Sequence, residues 1–214
     1  MSEPRIAAAI VTMNKRDALL TLLARLGEEQ IPAFVTTNAC SDGTPDAVRA
    51  AFPAVTVLES AHNLGGTGGF NCAMLAALDV QPRYLALIDD DALPDRGCLA
   101  QLADFLDAHP DHVLAVPAIH IASRPAWLQE TGGDVCFDRE VAVESWNRFR
   151  ENEGLPAHLE IGYGSACTLL VRADAVQRVG VMDWNYFLFY DDVDWCLRLR
   201  DAVGRMSAQD QQAA

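Results

Sequence analysis

The sequence lacks the features that mark several large classes of protein. It has no run of Lys and Arg, and 30 Asp and Glu residues against 16 Lys and Arg give a formal net charge of −14. A basic patch is the footprint of a nucleic-acid-binding domain, so nucleic acid is not expected as a partner. An acidic chain that binds an anionic ligand must neutralise it locally, through a metal ion, a helix N-terminus or backbone N–H groups.

Signals for a membrane or for secretion are also missing. No stretch reaches the roughly 18 consecutive apolar residues of a transmembrane helix, and the N-terminus lacks the basic segment and cleavage site of a secretory signal. The six cysteines include no C-x-x-C pair, which argues against a zinc site or a disulfide framework. The expected compartment is therefore reducing and cytoplasmic, and peripheral contact with the inner face of a membrane is compatible with this composition.

What the sequence does contain is the composition and patterning of one globular domain. Of its 214 residues, 50% are hydrophobic and 21% are charged, a balance typical of a globular enzyme. Apolar runs typical of buried strands lie at 6–12, 33–37, 55–58, 84–88 and 113–116, with a further strand at 165–172. Helical spacing lies at 15–26, 45–51, 97–108, 173–179 and 192–203, and in a helix that follows a loop at 62–71 and continues through Ala77.

This alternation of strands and helices predicts a Rossmann-like, mainly parallel sheet with helices on both faces in a single α/β domain. The less regular stretch at 119–160 predicts loops with one or two short strands. Polar segments follow three of the strands directly: VTMN at 11–14, NACSDGT at 38–44 and three acids at 89–91. Because ligands bind outside the carboxyl ends of parallel strands, we expect these segments to converge on one crevice.

The strongest local signal is LALIDDDALP at 85–94, where an apolar strand ends on Asp89, Asp90 and Asp91. Three adjacent carboxylates repel one another, so a compensating cation is expected, and hard oxygen ligands suit Mg²⁺ or Mn²⁺. Such an ion can bridge the two phosphates of a nucleoside diphosphate. A solvated turn after a strand is an equally good explanation of the triplet alone, because Asp is common there.

A second acidic cluster lies at the start of a predicted helix. The segment NYFLFYDDVDWCLRLR at 185–200 sets Asp191, Asp192 and Asp194 behind an aromatic run. Asp191 or Asp192 can cap the helix, since acids are stabilised at a helix N-terminus. One cap needs only one acid, so the cluster also predicts a carboxylate at the wall of a pocket, as a general base requires. Arg198, four residues after Asp194, predicts an ion pair that gives Asp194 a structural role.

Four glycines lie in NLGGTGGFN at 63–71, just before a helix. Glycines at a helix N-terminus let backbone N–H groups approach a phosphate or a sugar closely. The segment matches neither the P-loop pattern nor the dinucleotide fingerprint. In isolation, a tight connection between a strand and a helix explains it better.

Taken in order, six segments resemble the family 2 glycosyltransferases with a GT-A fold, and especially their rhamnosyltransferase and galactofuranosyltransferase branch. They are VTMNKRDALL, NACSDGT, NLGGTGGFN, LIDDDALP, YGSACTLLVRADAVQRVGVMD and FYDDVDWCLRLR. The resemblance implies an inverting transfer of a sugar from a UDP- or dTDP-sugar to a hydroxyl of a saccharide or a lipid-linked glycan, as in cell-wall or polysaccharide biosynthesis, with Mn²⁺ or Mg²⁺. It implies one GT-A domain at 1–205, with the nucleotide-binding part at about 6–95 and the acceptor and catalytic part at about 96–205, followed by a frayed tail at 206–214.

The resemblance also assigns roles to single residues. Asp89 and Asp91 match the outer acids of the DXD motif, with Asp91 as the direct metal ligand. Asp191 and Asp192 match the family's acidic pair, and Asp192 is the expected general base. The positions expected to bind the donor are Thr12, Asn38, Asp42, Gly68, Gly69, Asn71, Asp89 and Asp90. Tyr190 and Trp195 are candidates for the acceptor side, with core packing as the alternative explanation.

The sequence departs from the family pattern in two places. Thr37 stands where many relatives carry an Asp that helps to read the base, which leaves the donor's base open. The chain ends soon after the helix that follows Asp192, where relatives continue, so we expect a chain truncated at its C-terminus.

Two other functions remain open. One is a nucleotidyltransferase acting on sugar phosphates, although TMNKRDA after the first strand lacks the glycines expected of it. The other is a catalytically incomplete module that binds nucleotide sugars.

Overall fold

The computed structural model describes residues 3–137, 142–145 and 157–209. The strands are β1 (Ile6–Thr12), β2 (Ala33–Asn38), β3 (Thr56–Ser60), β4 (Tyr84–Asp89), β5 (His112–Pro117), β6 (Ile119–Ile121), β7 (Arg124–Glu130), β8 (Gly133–Cys136), β9 (Ala142–Ser145), β10 (His158–Glu160), β11 (Thr168–Arg172) and β12 (Arg205–Gln209). The helices are α1 (Arg16–Glu28), α2 (Thr44–Ala51), α3 (Gly65–Leu78), α4 (Cys98–Ala108), α5 (Ala173–Val179) and α6 (Asp191–Ala202).

An eight-stranded sheet forms the centre of a single α/β domain, in the order β10-β12-β5-β11-β4-β1-β2-β3. The neighbours β3-β2, β2-β1, β1-β4 and β5-β12 pair in parallel. By contrast, β11 is antiparallel to β4 and β5, and β10 is antiparallel to β12. The prediction of a Rossmann-like, mainly parallel sheet is therefore confirmed, with β11 running against its neighbours in the middle.

Hydrophobic side chains bury the sheet on both faces. One face packs against α1 and α4 through residues such as Leu22 and Leu102, and the other packs against α3, α5 and α6 through residues such as Met74 and Leu199. In β1, the run Ala7, Ala8 and Ala9 is completely buried, as expected for a strand covered on both sides. In the described part of the chain, no helix is long and apolar enough to cross a membrane.

The glycine-rich segment is mostly helix, which corrects the prediction of a loop at 62–71. Helix α3 begins at Gly65, so Gly68 and Gly69 lie inside it. A Cβ atom at Gly69 would lie 2.1 Å from Cγ2 of Val11 on β1, and one at Gly68 would lie 2.8 Å from Cβ of Leu64. The absence of a side chain at Gly69 therefore lets this helix pack closely against β1.

The C-terminal half holds more strands than predicted. In the irregular stretch at 119–160, β6 pairs with β7 and β8 with β9, while 138–141 and 146–156 lie outside the described residues. The expected frayed tail is wrong for residues 206–209, which belong to β12 beside β5. Met206 and Ser207 are buried there, so sheet pairing overrides a polar local sequence; residues 210–214 lie outside the described ranges.

Candidate active site

The segments that follow β1 and β2 meet at the carboxyl edge of the sheet. Oδ1 of Asn14 accepts a hydrogen bond from the backbone N–H of Ser41 at 2.8 Å, and the Cys40 thiol lies 3.5 Å from the carbonyl oxygen of Thr12. Both loops are therefore fixed against each other. The expected convergence at this edge of the sheet is confirmed for these two segments.

Asp90 links the acidic triplet to β1. Its side chain is largely buried, with the residue 8% exposed, and its Oδ2 accepts a hydrogen bond from the Thr12 hydroxyl at 2.7 Å. Burial raises the pKa of Asp90, while the hydrogen bond from Thr12 and the charge of Lys15 act against that rise. Asp90 therefore fixes the strand ends together, and Thr12 is occupied in holding it.

Asp91 is more exposed and forms an ion pair. Nζ of Lys15 contacts Oδ2 of Asp91 and lies 3.8 Å from Oδ1 of Asp90. The hydrogen bond to Asp91 raises the pKa of Lys15. A cation thus already lies on the triplet, and it belongs to the chain itself.

Asp89, the last residue of β4, has a raised pKa. Burial raises its pKa to about 7, and the charges of Asp91 and Asp90 add to the rise. Burial likewise raises the pKa of the Cys167 thiol to about 12, with the Asp89 carboxylate adding to it. The backbone N–H of Asp89 also donates to the carbonyl oxygen of Cys167 at 2.9 Å, so the start of β11 closes this side of the crevice.

The carboxylates of Asp89 and Asp91 fit a divalent ion that is shared with a ligand. In the described ranges, no group of three or more His, Cys, Asp or Glu side chains is arranged to hold a metal ion alone. Mg²⁺ in phosphate-binding sites is held by one or two carboxylates together with the phosphates of the ligand. The charges of Asp91 and Asp90 add to the pKa of Asp89 that burial has already raised, and a bound cation would offset this added repulsion.

The second acidic cluster opens on the same crevice. Oδ2 of Asp191 accepts a hydrogen bond from the buried hydroxyl of Thr67 on α3 at 2.6 Å. Asp192 accepts bonds from the backbone N–H groups of Ala166 at 3.3 Å and Val193 at 2.8 Å. Burial raises the pKa of Asp192, and the charge of Asp191 adds to it. Ala166, which donates to Asp192, is followed directly by Cys167, whose carbonyl oxygen accepts from the backbone N–H of Asp89. The segment before β11 therefore links the two clusters, and the charge of Asp192 adds to the raised pKa of Asp89.

Asp194 has the structural role that was predicted. Its Oδ2 accepts a bond from Nε of Arg198 at 2.9 Å, and Arg198 also donates to the carbonyl oxygen of Val181 at 3.3 Å. The expected capping role of Asp191 or Asp192 is not confirmed, because Tyr190 is the N-cap residue of α6 and no side chain caps it.

The segment before α6 is clamped onto α3. The Asn71 side chain accepts from the backbone N–H of Met182 at 3.0 Å and donates to its carbonyl oxygen at 2.9 Å. The carbonyl oxygen of Phe187 accepts from the backbone N–H of Thr67 at 3.4 Å, and a Cβ at Gly65 would lie 1.9 Å from it. Glycine at 65 is therefore needed for this close approach.

This clamped segment presents aromatic side chains to solvent beside Asp191. Phe189 is 72% exposed and Tyr190 is 62% exposed. Both residues have left-handed backbone conformations, with φ of 67° and 61°, which bulky residues adopt only where surrounding contacts impose them. Tyr190 is therefore exposed directly before Asp191, and its role on the acceptor side stays a prediction.

Three predicted binding residues are buried in structural contacts, and the donor-binding roles of Asn38 and Asn71 stay predictions. Trp195 is completely buried, and its Nε1 donates to the carbonyl oxygen of Gly180 at 2.8 Å, so the assignment to the acceptor side is wrong and core packing is the correct explanation. Asn71 is also completely buried and holds Met182. The Asn38 amide is used by Asn63, Leu64 and Gly65, in bonds of 2.7 to 2.9 Å.

Asp42 shapes the loop after β2. Its Oδ1 accepts bonds from the backbone N–H and the hydroxyl of Thr44 at the start of α2, and the hydroxyl bond lowers the pKa of Asp42. Its Oδ2 also accepts a longer bond from the backbone N–H of Arg16 at 3.4 Å. Its role in binding a nucleoside stays a prediction.

The structure adds residues that the motifs did not single out. Lys15 and Thr67 each bond one of the acids, although both lie inside quoted motifs. A signal was available for Lys15, which is a basic residue directly after the first strand, at the same edge as the triplet. A cavity of about 520 Å³ lies beside Asp91, between the segment 91–95 that follows β4 and the β6–β7 hairpin, and its polar lining includes His120 and Gln129.

Comparison with known proteins fits this arrangement. The family model described as Glycosyl transferase family 2 matches residues 8–180. The chain belongs to this family. As a family 2 glycosyltransferase chain it is 29% identical over 201 residues to the galactofuranosyltransferase GlfT1 of Mycolicibacterium smegmatis, across 91% of this chain and 65% of that protein. The chain thus spans about two thirds of the length of this relative.

Solved structures show the GT-A fold of this family 2 chain. The mannosyltransferase PcManGT from Pyrobaculum calidifontis, in complex with GDP-Man and Mn²⁺, superposes with a TM-score of 0.67 at 18% identity, covering 99% of this chain and 56% of the other. TarS from S. aureus, in complex with UDP-GlcNAc, superposes with a TM-score of 0.67 at 14% identity, covering 95% of this chain and 55% of the other. The fold predicted from the ordered motifs is confirmed.

Proposed function

We propose that this chain transfers a sugar from a nucleoside-diphosphate donor to an acceptor hydroxyl with inversion at the anomeric carbon. The observation that supports the proposal is that both acidic clusters contact the segment before β11, Asp192 through Ala166 and Asp89 through Cys167, at the sheet edge where the loops after β1 and β2 meet. One cluster fits a metal and a diphosphate, and the other offers a base. Acid–base chemistry and charge stabilisation are what a direct displacement of this kind requires.

Asp192 is the proposed base. Its carboxyl group is held by two backbone N–H donors, while Asp191 is bonded to Thr67 and Asp194 to Arg198. Of the three acids, Asp192 is therefore the one that no side chain holds among these contacts. Burial raises its pKa, which strengthens it as a proton acceptor. Asp192 takes the proton from the acceptor hydroxyl as that oxygen attacks the anomeric carbon.

Asp91 and Asp89 are the proposed ligands of Mn²⁺ or Mg²⁺, with Asp91 as the direct ligand. The bound ion would supply charge stabilisation for the departing diphosphate. Asp90 fixes the position of both neighbours through its bond to Thr12. Tyr190 is the proposed contact on the acceptor side, because it is exposed next to the base.

The proposed donor is a UDP- or dTDP-sugar, and the proposed acceptor is a saccharide or a lipid-linked glycan. A galactofuranosyl donor comes first in a screen because GlfT1, a galactofuranosyltransferase, is 29% identical. The screen includes both UDP-sugars and GDP-sugars, because TarS was solved with UDP-GlcNAc and PcManGT with GDP-Man.

Calorimetry with UDP, in the presence and absence of Mn²⁺, tests the donor site on the wild-type chain and on Asp91→Ala. We expect binding that depends on Mn²⁺ in the wild type and is weakened at least tenfold in Asp91→Ala. Release of labelled sugar from UDP-, dTDP- and GDP-sugars then tests turnover. Binding without any release would support the nucleotide-sugar-binding module, and no binding that depends on a metal would refute the site as proposed.

A further inference from the structure

Lys15 is the only lysine in the 214-residue sequence, and all the other basic residues counted with it are arginine. This lysine directly follows the Thr12, Met13 and Asn14 loop after β1, where its ammonium contacts Asp91 and approaches Asp90. Across the described residues, no other basic side chain forms an ion pair with the triplet. Its side chain is half exposed, so it can leave this position without opening the core.

The chemistry of an ammonium group suits a contact that must be exchanged. Lysine carries a compact, strongly hydrated charge on a flexible stem, whereas arginine presents a rigid fork that holds a carboxylate through two parallel bonds. A divalent ion bound to Asp91 needs the carboxylate oxygen that Lys15 contacts. Lys15 and the ion therefore compete for Asp91, and lysine is the cation that is easier to displace.

We propose that Lys15 is a built-in counter-ion that holds Asp91 in the absence of a divalent ion, is displaced when that ion binds, and then contacts the donor's diphosphate. The inference rests on the proposed function, since it needs a metal at Asp91 and a diphosphate donor. Displacement leaves a positive charge on the loop that borders the crevice. Lysine is a common phosphate ligand at such positions.

The first experiment measures how tightly the full chain binds Mn²⁺ in the absence of nucleotide. The electron paramagnetic resonance signal of free Mn²⁺ reports the amount that is not bound. Lys15→Met keeps an unbranched side chain of similar size and removes the charge, and we expect it to bind Mn²⁺ about three- to tenfold more tightly than the wild type, because the competing ion pair is gone. Lys15→Arg should bind Mn²⁺ more weakly than the wild type. Arg16→Met is the matched control, since Arg16 carries the neighbouring charge but pairs with Asp17; its Mn²⁺ affinity should stay within about twofold of the wild type.

The second experiment uses the single lysine as a probe. An amine-reactive reagent can modify only Lys15 and the terminal amine, which serves as an internal reference in the mass spectrum. We expect Mn²⁺ alone to increase modification of Lys15 severalfold and Mn²⁺ with UDP to reduce it again. At saturating Mn²⁺, UDP should bind Lys15→Met about three- to tenfold more weakly than the wild type, because the contact with the diphosphate is lost.

The outcomes separate this inference from the proposed function. If Asp91→Ala loses Mn²⁺ binding but Lys15→Met binds Mn²⁺ as the wild type does, the counter-ion role is refuted and the metal site stands. The same conclusion follows if Arg16→Met tightens Mn²⁺ binding as much as Lys15→Met, because the effect is then one of general charge. If the wild type and Asp91→Ala bind Mn²⁺ alike, the proposed metal site and the role of Lys15 both fail.

Discussion

The acidic clusters at 89–91 and 191–194 share one plan. Each has an acid bonded to a buried threonine, Asp90 to Thr12 at 2.7 Å and Asp191 to Thr67 at 2.6 Å, and both of these acids are 8% exposed. Each also has an acid whose pKa is raised chiefly by burial, Asp89 in the first cluster and Asp192 in the second. A third acid in each cluster forms an ion pair.

The clusters differ in the cation of that ion pair. Asp91 pairs with Lys15, an exposed lysine from another element. Asp194 pairs with Arg198 on its own helix, and Arg198 also bonds the carbonyl oxygen of Val181. The first cluster can therefore exchange its cation, while the second keeps its cation as part of the fold. This difference fits the proposal that the first cluster binds a metal and a diphosphate while the second positions a base.

The largest expected effect is on the rate of sugar transfer, when the two adjacent acids of the second cluster are replaced one at a time. Asp192→Asn should reduce sugar transfer by about 10²- to 10⁴-fold, the usual contribution of a general base, while UDP binding persists. Asp191→Asn should reduce it less than about tenfold, because the Asn oxygen still accepts the bond from Thr67. Rates with a labelled donor measure both, and the opposite order would move the base to Asp191.

The buried threonine bonds should differ in their effect on stability. Thr67→Val keeps the shape but leaves the buried Asp191 carboxylate without this donor, at a cost of about 1 to 3 kcal/mol in the free energy of unfolding. Thr12→Val should cost less, because Asp90 also has the backbone N–H of Met13 and the charge of Lys15. Urea unfolding of both variants measures the difference, and an equal or reversed order would show that the two bonds are not as distinct as the contacts indicate.

The raised pKa of Asp192 predicts a dependence of stability on pH. The folded chain keeps this proton to higher pH than the unfolded chain, where the pKa is near 3.8. Stability from this group is therefore full below pH 3.8 and falls as pH rises through the folded pKa. Asp192→Asn should be more stable than the wild type at pH 8, and the gain should disappear at pH 3.5. A gain that stays constant with pH would show that burial of the charge is not its cause.

The smallest effects belong to the ion pairs. Arg198→Met should destabilise the chain by about 1 kcal/mol or less, since it removes a helix ion pair and the bond to Val181. Lys15→Met should change stability by under about 0.5 kcal/mol, because its ion pair is exposed to solvent. Thermal unfolding in low salt measures both, and a larger loss for Lys15→Met would contradict an exchangeable counter-ion.

Much of the fold was predictable because local periodicity agrees with the tertiary environment. Strand β1 lies at 6–12 as predicted, and α4 and α5 agree within one residue. The prediction failed where contacts distant in sequence decide. Position 65 needs glycine because the backbone of Phe187 approaches it closely, and position 69 needs glycine because Val11 does. The sequence around the glycines does not indicate either partner.

The sequence predicted which segments lie at the site, but it did not predict which side chains bond to each other there. The position of the triplet at a strand end indicated that it would meet the loops after β1 and β2. Nothing in the motifs indicated that Asn71 holds Met182 or that Trp195 lies in the core. The sequence does not distinguish an aromatic or amide side chain that contacts a ligand from one that contacts another part of the chain. Only the packing of α3 and α6 shows which contacts these side chains make.

The sequence by itself determined the class of fold, the order of the motifs and the two acidic clusters, because these follow from periodicity and from the direction of parallel strands. Tertiary structure alone decided which acid in each cluster is bonded to a threonine and which is ion-paired. The reason is physical: a carboxylate's charge state and role depend on burial and on donors that come from residues up to 124 positions away, as in the bond from Thr67 to Asp191.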